Sequence, residues 1–259
     1  MSGTNGISDA TGFYDELGEQ YDEMTQHEKR LESLRPAMKN LADRLQMKRV
    51  LDVGCGSGTH AIALAQAGVT VTALDPSPEM IRMAKSNAKQ AGVGIDFRQV
   101  TVDTLPPDHS SNFDTVICLG NTLPHLLSEE SLRATLAAMH ELLAPDGHLI
   151  LQLLNYDRIL SRRERIVGIR KSGERTFIRF YDFSDPQLYF NILVIDNSAS
   201  EPTHKLLTTE LYPWRREELS NLLSSLRFHS LQPAGDLRER PFDPDNSTDL
   251  IIFARRELP

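Results

Sequence analysis

The chain has 259 residues, of which 40% are apolar and 25% charged, and this composition excludes a disordered or fibrous protein. Its net charge of −8 disfavours nucleic acid as a substrate, and no apolar run reaches the ~20 residues that span a membrane. Positions 1–11 lack the apolar segment of a secretory signal, and Cys55 and Cys118 give no sign of a disulfide framework. We therefore expect a cytoplasmic protein with reduced thiols.

The N-terminal residues 1–46 are predicted to form two helices ahead of the main fold. Apolar and aromatic residues recur there at helical spacing in two runs separated by a break. The first run is Phe13, Tyr14, Leu17, Tyr21 and Met24, and the second is Leu31, Leu34, Met38, Leu41 and Leu45. We expect the leucines to pack in the core of the protein.

Residues 49–59, RVLDVGCGSGT, are predicted to form a buried strand, a tight turn and the start of a helix. The turn contains Gly54, Gly56 and Gly58, which let the backbone approach a ligand where a Cβ atom would collide. The helix that begins there presents unpaired N–H groups to the same place. A dinucleotide site, with the spacing G-x-G-x-x-G, is the alternative. The observed spacing is G-x-G-x-G with Asp52 two positions before the first glycine, which argues against that alternative.

The next predicted strand, Val69–Leu74, ends at Asp75. A carboxylate at this point could accept hydrogen bonds from the two hydroxyls of a ribose, because dinucleotide-binding folds place such an acid about 20 residues after the glycine turn. A third strand, Ile95–Val100, leads into Thr101 and Val102.

The fourth predicted strand, Phe113–Leu119, leads into the loop 120–125, GNTLPH. Ligands of an open parallel sheet lie beyond the carboxyl ends of its strands, where the strand order reverses. Asn121 and His125 are therefore candidates for contact with a ligand. For His125, the alternative is a histidine that only orders the loop.

Strands and helices alternate from Val50 onward, which is typical of a doubly wound, mostly parallel sheet. A helix is predicted to end at 145–147, and the fifth strand to follow at 148–155. Further strands near 228–231 and 249–255 would bring the number of strands to seven.

An antiparallel sheet is predicted to be inserted after the fifth strand. Its three β-rich runs are Thr176–Ser184, Leu188–Asp196 and Lys205–Trp214. Alternation places Phe177, Arg179 and Tyr181 on one face of that sheet. The basic residues ahead of it, Arg158, Arg162, Arg163, Arg165, Arg170 and Lys171, are interpreted as a solvated face that could also attract a substrate carboxylate.

The glycine turn, with Asp52 before it and Asp75 after the next strand, resembles motif I and the ribose site of the class I S-adenosylmethionine-dependent methyltransferases. The resemblance implies a Rossmann-like α/β fold, whose sheet has seven strands with the last antiparallel, and S-adenosylmethionine as the cofactor. It also implies three parts, namely helices 1–46 that cover the cofactor, a core of 47–155 and 215–259, and an inserted β lid of 156–214. The residues that it assigns to the cofactor are Tyr21, Arg30, Asp52, Gly54, Gly56, Gly58, Asp75, Thr101, Val102 and Leu119.

Two details of this resemblance concern single residues. In similar methyltransferases a Tyr and an Arg of the N-terminal helices reach the cofactor, which makes Tyr14, Tyr21 and Arg30 candidates, and Arg30 could pair with the cofactor's carboxylate. Thr101 stands where an acid often lies beside the adenine, and Asp103 comes two residues late, so Val102 is expected to supply backbone and apolar contact instead.

Three further motifs resemble the glycine/sarcosine N-methyltransferase group, namely Ile117–Leu126, Asn155–Leu160 and Glu210–Trp214. The resemblance implies a small-molecule acceptor, most simply an amine, with Asn121, His125 and Tyr156 on the acceptor side. One departure is that Leu154 replaces the arginine that grips the amino acid's carboxylate in this group, which puts glycine in doubt as the substrate. Arg158 or Arg179 could take over that contact.

Other functions stay open at this point. A hydroxyl or thiol acceptor would need a general base, for which His125 is the candidate, whereas an amine would not. The chain could also bind the cofactor without catalysis, or be a nicotinamide oxidoreductase. In-line methyl transfer needs no metal. The expected partner is the small-molecule acceptor, with neither nucleic acid nor membrane, and a homo-oligomer stays open.

Overall fold

The computed structural model describes residues 7–105 and 113–257, beginning with three helices where two were predicted. These are α1 (Ala10–Leu17), α2 (Gln20–Thr25) and α3 (His27–Leu45). Asp9 caps α1 by accepting a hydrogen bond from the Gly12 N–H at 2.7 Å. The first predicted helix is split because Gly18 has a φ of +52° and ends α1, a conformation that glycine adopts without a Cβ penalty.

A seven-stranded sheet forms the centre of the fold, as predicted. In chain order its strands are β1 (Arg49–Val53), β2 (Thr70–Leu74), β3 (Asp96–Arg98), β4 (Phe113–Cys118), β5 (Leu143–Leu154), β10 (Phe228–Ala234) and β11 (Asp249–Arg256). The spatial order is β10-β11-β5-β4-β1-β2-β3. Strands β3, β2, β1, β4 and β5 are parallel, and β11 runs antiparallel to both β5 and β10. The order therefore reverses between β1 and β4, where ligands of such sheets bind.

Helices cover both faces of this sheet, so its strands are apolar on both sides. The helices are α4 (Thr59–Gln66), α5 (Pro78–Gln90), α6 (Glu129–Leu142), α7 (Tyr156–Arg162) and α8 (Arg216–Ser225). In β1, Leu51 packs in the core on one face and Val50 in the core on the other. Ser77 caps α5 by accepting a hydrogen bond from the Met80 N–H at 3.0 Å, with Pro78 in the first turn.

The predicted boundary between α6 and β5 is wrong by several residues. The helix ends at Leu142 and β5 already begins at Leu143, opposite Phe113 of β4. The register then shifts before Thr115 pairs with His148, so residues 144–147 form an irregularity within the strand. Pro and Gly in this segment suggested a loop, and residues 144–147 indeed have no partner in β4, but Leu143 ahead of them already pairs with Phe113.

The second sheet has four antiparallel strands, whereas three were predicted. Its strands are β6 (Ile166–Ser172), β7 (Arg175–Ser184), β8 (Gln187–Asp196) and β9 (Thr203–Leu211), in that spatial order. The sequence did not reveal β6 because its basic residues resemble a solvated charge run. Strand β9 ends at Leu211, three residues before the predicted end, since Pro213 has no N–H to continue the ladder.

A third core lies between the second sheet and the N-terminal helices. It joins Phe13, Leu17 and Met24 of α1 and α2 to the sheet residues Phe177, Ile192, Val194 and Leu207. This face of the sheet, on which Phe177, Arg179 and Tyr181 alternate, is called the inner face below. Within residues 7–105 and 113–257, no helix is long and apolar enough to cross a membrane, and no group of His, Cys, Asp and Glu is placed to hold a metal ion.

Candidate cofactor and acceptor site

A cavity of about 230 Å³ lies at the carboxyl ends of β1 and β4, the point at which the strand order reverses. It is also bordered by α1, α3 and the segments that follow β2 and β3. Of the residues expected from the sequence, Tyr21, Arg30, Gly54, Gly56, Asp75, Thr101, Val102, Leu119 and His125 lie on its wall. Asp52, Gly58, Asn121 and Tyr156 lie outside the wall, although each is in an element next to it.

The glycine turn between β1 and α4 has two distinct roles. Gly54, with φ +71°, donates its N–H to the Leu74 carbonyl at 2.8 Å, and a Cβ built on it would lie 2.4 Å from Cγ2 of Thr122. It therefore allows the loop after β4 to close against the turn. Gly56 faces open space, since the nearest atom to a Cβ there would be the Tyr21 hydroxyl at 3.8 Å. A ligand can thus approach the backbone at Gly56.

Asp75 is held rigidly at the end of β2. Its Oδ2 accepts a hydrogen bond from the Gly56 N–H at 2.8 Å, and its Oδ1 accepts one from the Ser77 N–H at 3.0 Å. Burial raises the pKa of Asp75, and the two backbone donors oppose that shift. Each oxygen keeps a further lone pair, so this carboxylate on the cavity wall fits the two hydroxyls of a ribose.

Arg30 of α3 brings a positive charge to the same cavity. Its terminal nitrogen lies 3.8 Å from the position that a Cβ on Gly120 would occupy, and within 7–105 and 113–257 its side chain forms no ion pair, although its charge opposes the rise that burial gives to the pKa values of Asp52 and Asp249. Burial, followed by the charge of Arg30, lowers the pKa of the neighbouring His60 to about 3, so this histidine is neutral. A guanidinium on the cavity wall that forms no ion pair fits the carboxylate of S-adenosylmethionine.

Two of the expected cofactor residues lie beneath the cavity instead. Asp52 is 1% exposed and its Oδ2 has no hydrogen-bond partner. Burial, and next the charge of Asp75, raises the pKa of Asp52 to about 7. A Cβ on Gly58 would lie 3.2 Å from the Ala84 Cβ, so Gly58 permits α4 to pack against α5.

Asn121 and Tyr156 form one buried network beside the cavity. The Asn121 Oδ1 accepts hydrogen bonds from the Leu154 N–H at 3.0 Å and from the Tyr156 hydroxyl at 3.2 Å, while its Nδ2 lies 3.0 Å from that hydroxyl. Asn121 has a φ of +68°, which asparagine tolerates better than most residues. The Tyr156 hydroxyl is also hydrogen-bonded to Tyr181 of the inner face, and burial raises the pKa of Tyr156 well above its usual value.

His125 lies on the cavity wall and contacts an N-terminal helix. Its Nε2 is 3.1 Å from the hydroxyl of Tyr14, and its buried Nδ1 has no hydrogen-bond partner. Burial lowers the pKa of His125 to about 4, so the ring is neutral at physiological pH. Among the described residues of the wall, Nδ1 is the one buried side-chain polar atom that lacks a partner.

Sequence patterns missed some wall residues. His60 sits in the first turn of α4, and Thr122 in the loop after β4 meets Gly54. The sequence did contain a signal for His60, because this residue follows the glycine turn almost directly and is therefore close to any ligand of the turn. Nothing local could pair Tyr14 with His125, because the two are 111 positions apart.

Comparison with known proteins gives consistent matches. A family described as "Methyltransferase domain" matches residues 50–147. A glycine/sarcosine N-methyltransferase of Aphanothece halophytica is 34% identical over 205 residues, covering 76% of this chain and 73% of that protein. A ubiquinone biosynthesis O-methyltransferase of Xanthomonas euvesicatoria pv. vesicatoria is 35% identical over 131 residues, covering 49% of this chain and 53% of that protein.

Among solved structures, an S-adenosylmethionine-dependent methyltransferase from Clostridium acetobutylicum superimposes with a TM-score of 0.78. It covers 94% of this chain and 99% of its own at 14% identity, which is evidence for the fold alone. The relative from Aphanothece halophytica extends the likeness to sequence over most of both proteins. This enzyme, whose cofactor is S-adenosylmethionine, therefore belongs to the class I S-adenosylmethionine-dependent methyltransferases.

Proposed function

We propose that the enzyme methylates the nitrogen of a small-molecule amine. The observation that carries this proposal is the uncharged acceptor side of the cavity, where His125 is neutral and its buried Nδ1 has no hydrogen-bond partner. An amine must arrive unprotonated to attack the methyl group, and surroundings that disfavour charge favour that form. The printed name of the relative from Aphanothece halophytica, a glycine/sarcosine N-methyltransferase, supports the same reaction.

Most of the rate enhancement is proposed to come from orientation. When bound, the cofactor supplies a methyl group on a sulfonium. Arg30 and Asp75 hold the two polar ends of the cofactor, and the Gly56 backbone lets it approach the turn. In the tautomer whose Nε2–H donates to the Tyr14 hydroxyl oxygen, the Nδ1 of His125 accepts a hydrogen bond from the acceptor N–H and so aims the nitrogen lone pair. The methylated product then loses its proton to solvent. Well-aligned reactants gain ~7–11 kcal/mol in such arrangements.

We also propose that residues 1–46 and 156–214 act together as the cover of this site, on a core of 47–155 and 215–259. The third core, which joins α1 and α2 to the inner face, supports the pairing of these two segments. Tyr14 extends the cover to the loop after β4 through its contact with His125. Homo-oligomer formation and a cytoplasmic location stay predictions.

The second candidate is methyl transfer to a hydroxyl or thiol with His125 as the general base. The match to a ubiquinone biosynthesis O-methyltransferase over 49% of the chain favours it. A pKa of about 4 makes His125 a weak base near neutral pH, which is the physical argument for placing an amine first.

A panel of primary and secondary amines, phenols and thiols tests the proposal through formation of S-adenosylhomocysteine. We expect turnover with amines, and kcat/KM that rises with pH as the amine loses its proton. Because His125 is neutral above about pH 4, it should add no inflection between about pH 6 and 9. Turnover with phenols or thiols alone, with a base titrating in that range, would favour the second candidate.

Asn121→Ala should lower turnover more than it lowers cofactor affinity. The change leaves the Leu154 N–H and the Tyr156 hydroxyl without their partner, whereas the proposed cofactor contacts of Arg30 and Asp75 are untouched. Losing such buried hydrogen bonds costs about 1–3 kcal/mol of stability as well. Steady-state kinetics and calorimetric titration with S-adenosylhomocysteine separate the two effects.

Two matched variants sharpen this measurement. Asn121→Gly removes the same amide, but glycine adopts the positive φ without strain. Its effect therefore reports the loss of the side chain and not a strained backbone. Tyr156→Phe keeps the packing and removes the hydroxyl. An equal loss of turnover and cofactor affinity in both variants would assign Asn121 and Tyr156 to the cofactor or to the scaffold.

A further inference from the structure

The cations of the inner face fall into two groups. Arg175 and Lys205 are neutralised by acids of the N-terminal helices: Arg175 Nη1 lies 2.8 Å from Glu23 Oε2, and Lys205 Nζ lies 3.1 Å from Glu16 Oε1. The side chains of Arg170 and Arg179 have no hydrogen bond and no ion pair with any residue of the described ranges, and the Nε of each is buried. Two arginines on a largely covered face thus lack a counter-ion.

The two guanidinium groups are close neighbours in the sheet. Arg179 of β7 is opposite Gly168 of β6, and a Cβ on Gly168 would lie 2.9 Å from the terminal nitrogen of Arg179. The Arg179 side chain therefore occupies the space that the missing Gly168 side chain leaves. Arg170, two residues along β6, is opposite Phe177 and so projects from the same face. Burial, and next the charge of Arg170, lowers the pKa of Arg179.

This arrangement is costly unless an anion joins it. Partly burying a cation without a partner costs free energy, and a second cation beside it adds repulsion. A guanidinium presents several N–H donors in a planar fork that matches a carboxylate or a phosphate. The ion pairs of Arg175 show that nearby acids are available on α2 and β8, yet none reaches Arg170 or Arg179.

The arginine pair is connected to the acceptor side of the cavity. Tyr181, two residues after Arg179 on the inner face, is hydrogen-bonded to Tyr156 and thereby joined to Asn121. Tyr21, which lies on the cavity wall, is close enough to Arg179 to affect its pKa. Arg179 itself is not on that wall, so an anion bound to it would lie beyond Tyr21.

The other candidate for this contact, Arg158, is already engaged. Its Nη1 donates to the Ser247 carbonyl at 2.9 Å, and its Nη2 lies 3.1 Å from Glu164 Oε2. These bonds tie Arg158 to the segment before β11 and engage both of its terminal nitrogens, so that only its buried Nε lacks a partner. Leu154 cannot bind an anion at all.

We propose that Arg170 and Arg179 bind an oxyanion, a carboxylate or a phosphate, carried by the amine acceptor at the end remote from its nitrogen. This inference rests on the proposed amine methylation. Because the arginines lie beyond the cavity wall, the acceptor is longer than glycine. The inner face of the second sheet then determines specificity, while Arg30 and Asp75 serve the cofactor.

The test uses the full-length enzyme saturated with S-adenosylhomocysteine and measures binding by calorimetry. The probes are glycine, 4-aminobutyrate, phosphoethanolamine and the uncharged amine propylamine. We expect 4-aminobutyrate or phosphoethanolamine to bind more tightly than glycine and propylamine, and which of the two prevails identifies the oxyanion. Arg179→Gln should weaken binding of the better probe about 10- to 100-fold, as for a lost charged hydrogen bond.

Controls separate this effect from damage to the fold. Arg175→Gln removes a paired cation from the same face, so it should lower stability and leave the preference for the anionic probe unchanged. Gly168→Ala keeps the charge of Arg179 but displaces its guanidinium, and we expect a smaller loss in the same direction as Arg179→Gln. Affinity for S-adenosylhomocysteine should not change in any of the three variants.

The outcomes distinguish this inference from the proposed function. If the enzyme methylates propylamine but binds neither anionic probe better, amine methylation stands and the anion site is refuted. Equal binding of the anionic probe to wild type and Arg179→Gln also refutes the site. If Arg179-dependent binding is seen while only phenols or thiols are methylated, the anion site stands and the proposed acceptor atom is wrong.

Discussion

Asp75→Ala should weaken binding of S-adenosylmethionine by ~2–3 kcal/mol, on the scale of lost hydrogen bonds to a charged group. The change removes the proposed acceptors of the ribose hydroxyls. In the wild type, Asp75 accepts hydrogen bonds from the Gly56 N–H at 2.8 Å and from the Ser77 N–H at 3.0 Å. The change removes these two bonds, which hold the turn. Calorimetric titration of the purified variant measures the loss.

The pH dependence of binding provides an independent check. Burial raises the pKa of Asp75, so protonation begins at a higher pH than for an ordinary aspartate and removes the carboxylate as pH falls. Cofactor affinity should therefore decline on acidification in the wild type. Asp75→Asn, which keeps the shape and one acceptor oxygen, should lose this dependence and bind with intermediate affinity. Wild-type affinity in the alanine variant would show that the ribose lies elsewhere.

Gly54→Ala should unfold more easily than Gly92→Ala, even though the two glycines have nearly the same φ of +71° and +70°. A left-handed conformation costs a non-glycine residue about 1–2 kcal/mol at either position. Only at Gly54 does the new Cβ collide, at 2.4 Å from Thr122 Cγ2, whereas nothing lies within 4 Å of it at Gly92. The clash adds about 1–3 kcal/mol of overpacking.

Chemical denaturation of the two variants measures this difference. The Gly54 variant should also lose cofactor affinity, because the Thr122 loop and the turn that it touches both border the cavity. Adding Thr122→Ala to Gly54→Ala removes Cγ2 and Oγ1, the two closest clashing atoms, and should recover part of the stability. Equal free energies of unfolding for Gly54→Ala and Gly92→Ala would mean that the loop moves aside without cost.

The sequence alone determined the features that depend on neighbouring residues. The strand, the glycine turn and Asp75 at the end of the next strand were recognisable because each follows from local backbone requirements and a short spacing. The alternation of strands and helices likewise predicted the parallel sheet, and the resemblance to the methyltransferase family supplied its antiparallel last strand. Even here, local signals misplaced the start of β5. Leu143 already pairs with Phe113 of β4, ahead of the Pro and Gly that suggested a loop.

Tertiary structure alone decided how distant residues are used. The sequence offered Arg158 and Arg179 equally as an anion contact, and the fold engages Arg158 with Glu164 and Ser247 while leaving Arg179 without a partner. It placed Asn121 against Tyr156, 35 positions away, where the Oδ1 and the Nδ2 of the Asn121 amide both have hydrogen-bond partners. Such outcomes depend on which side chains the packed sheets and helices bring within hydrogen-bond distance, and no local propensity encodes that distance.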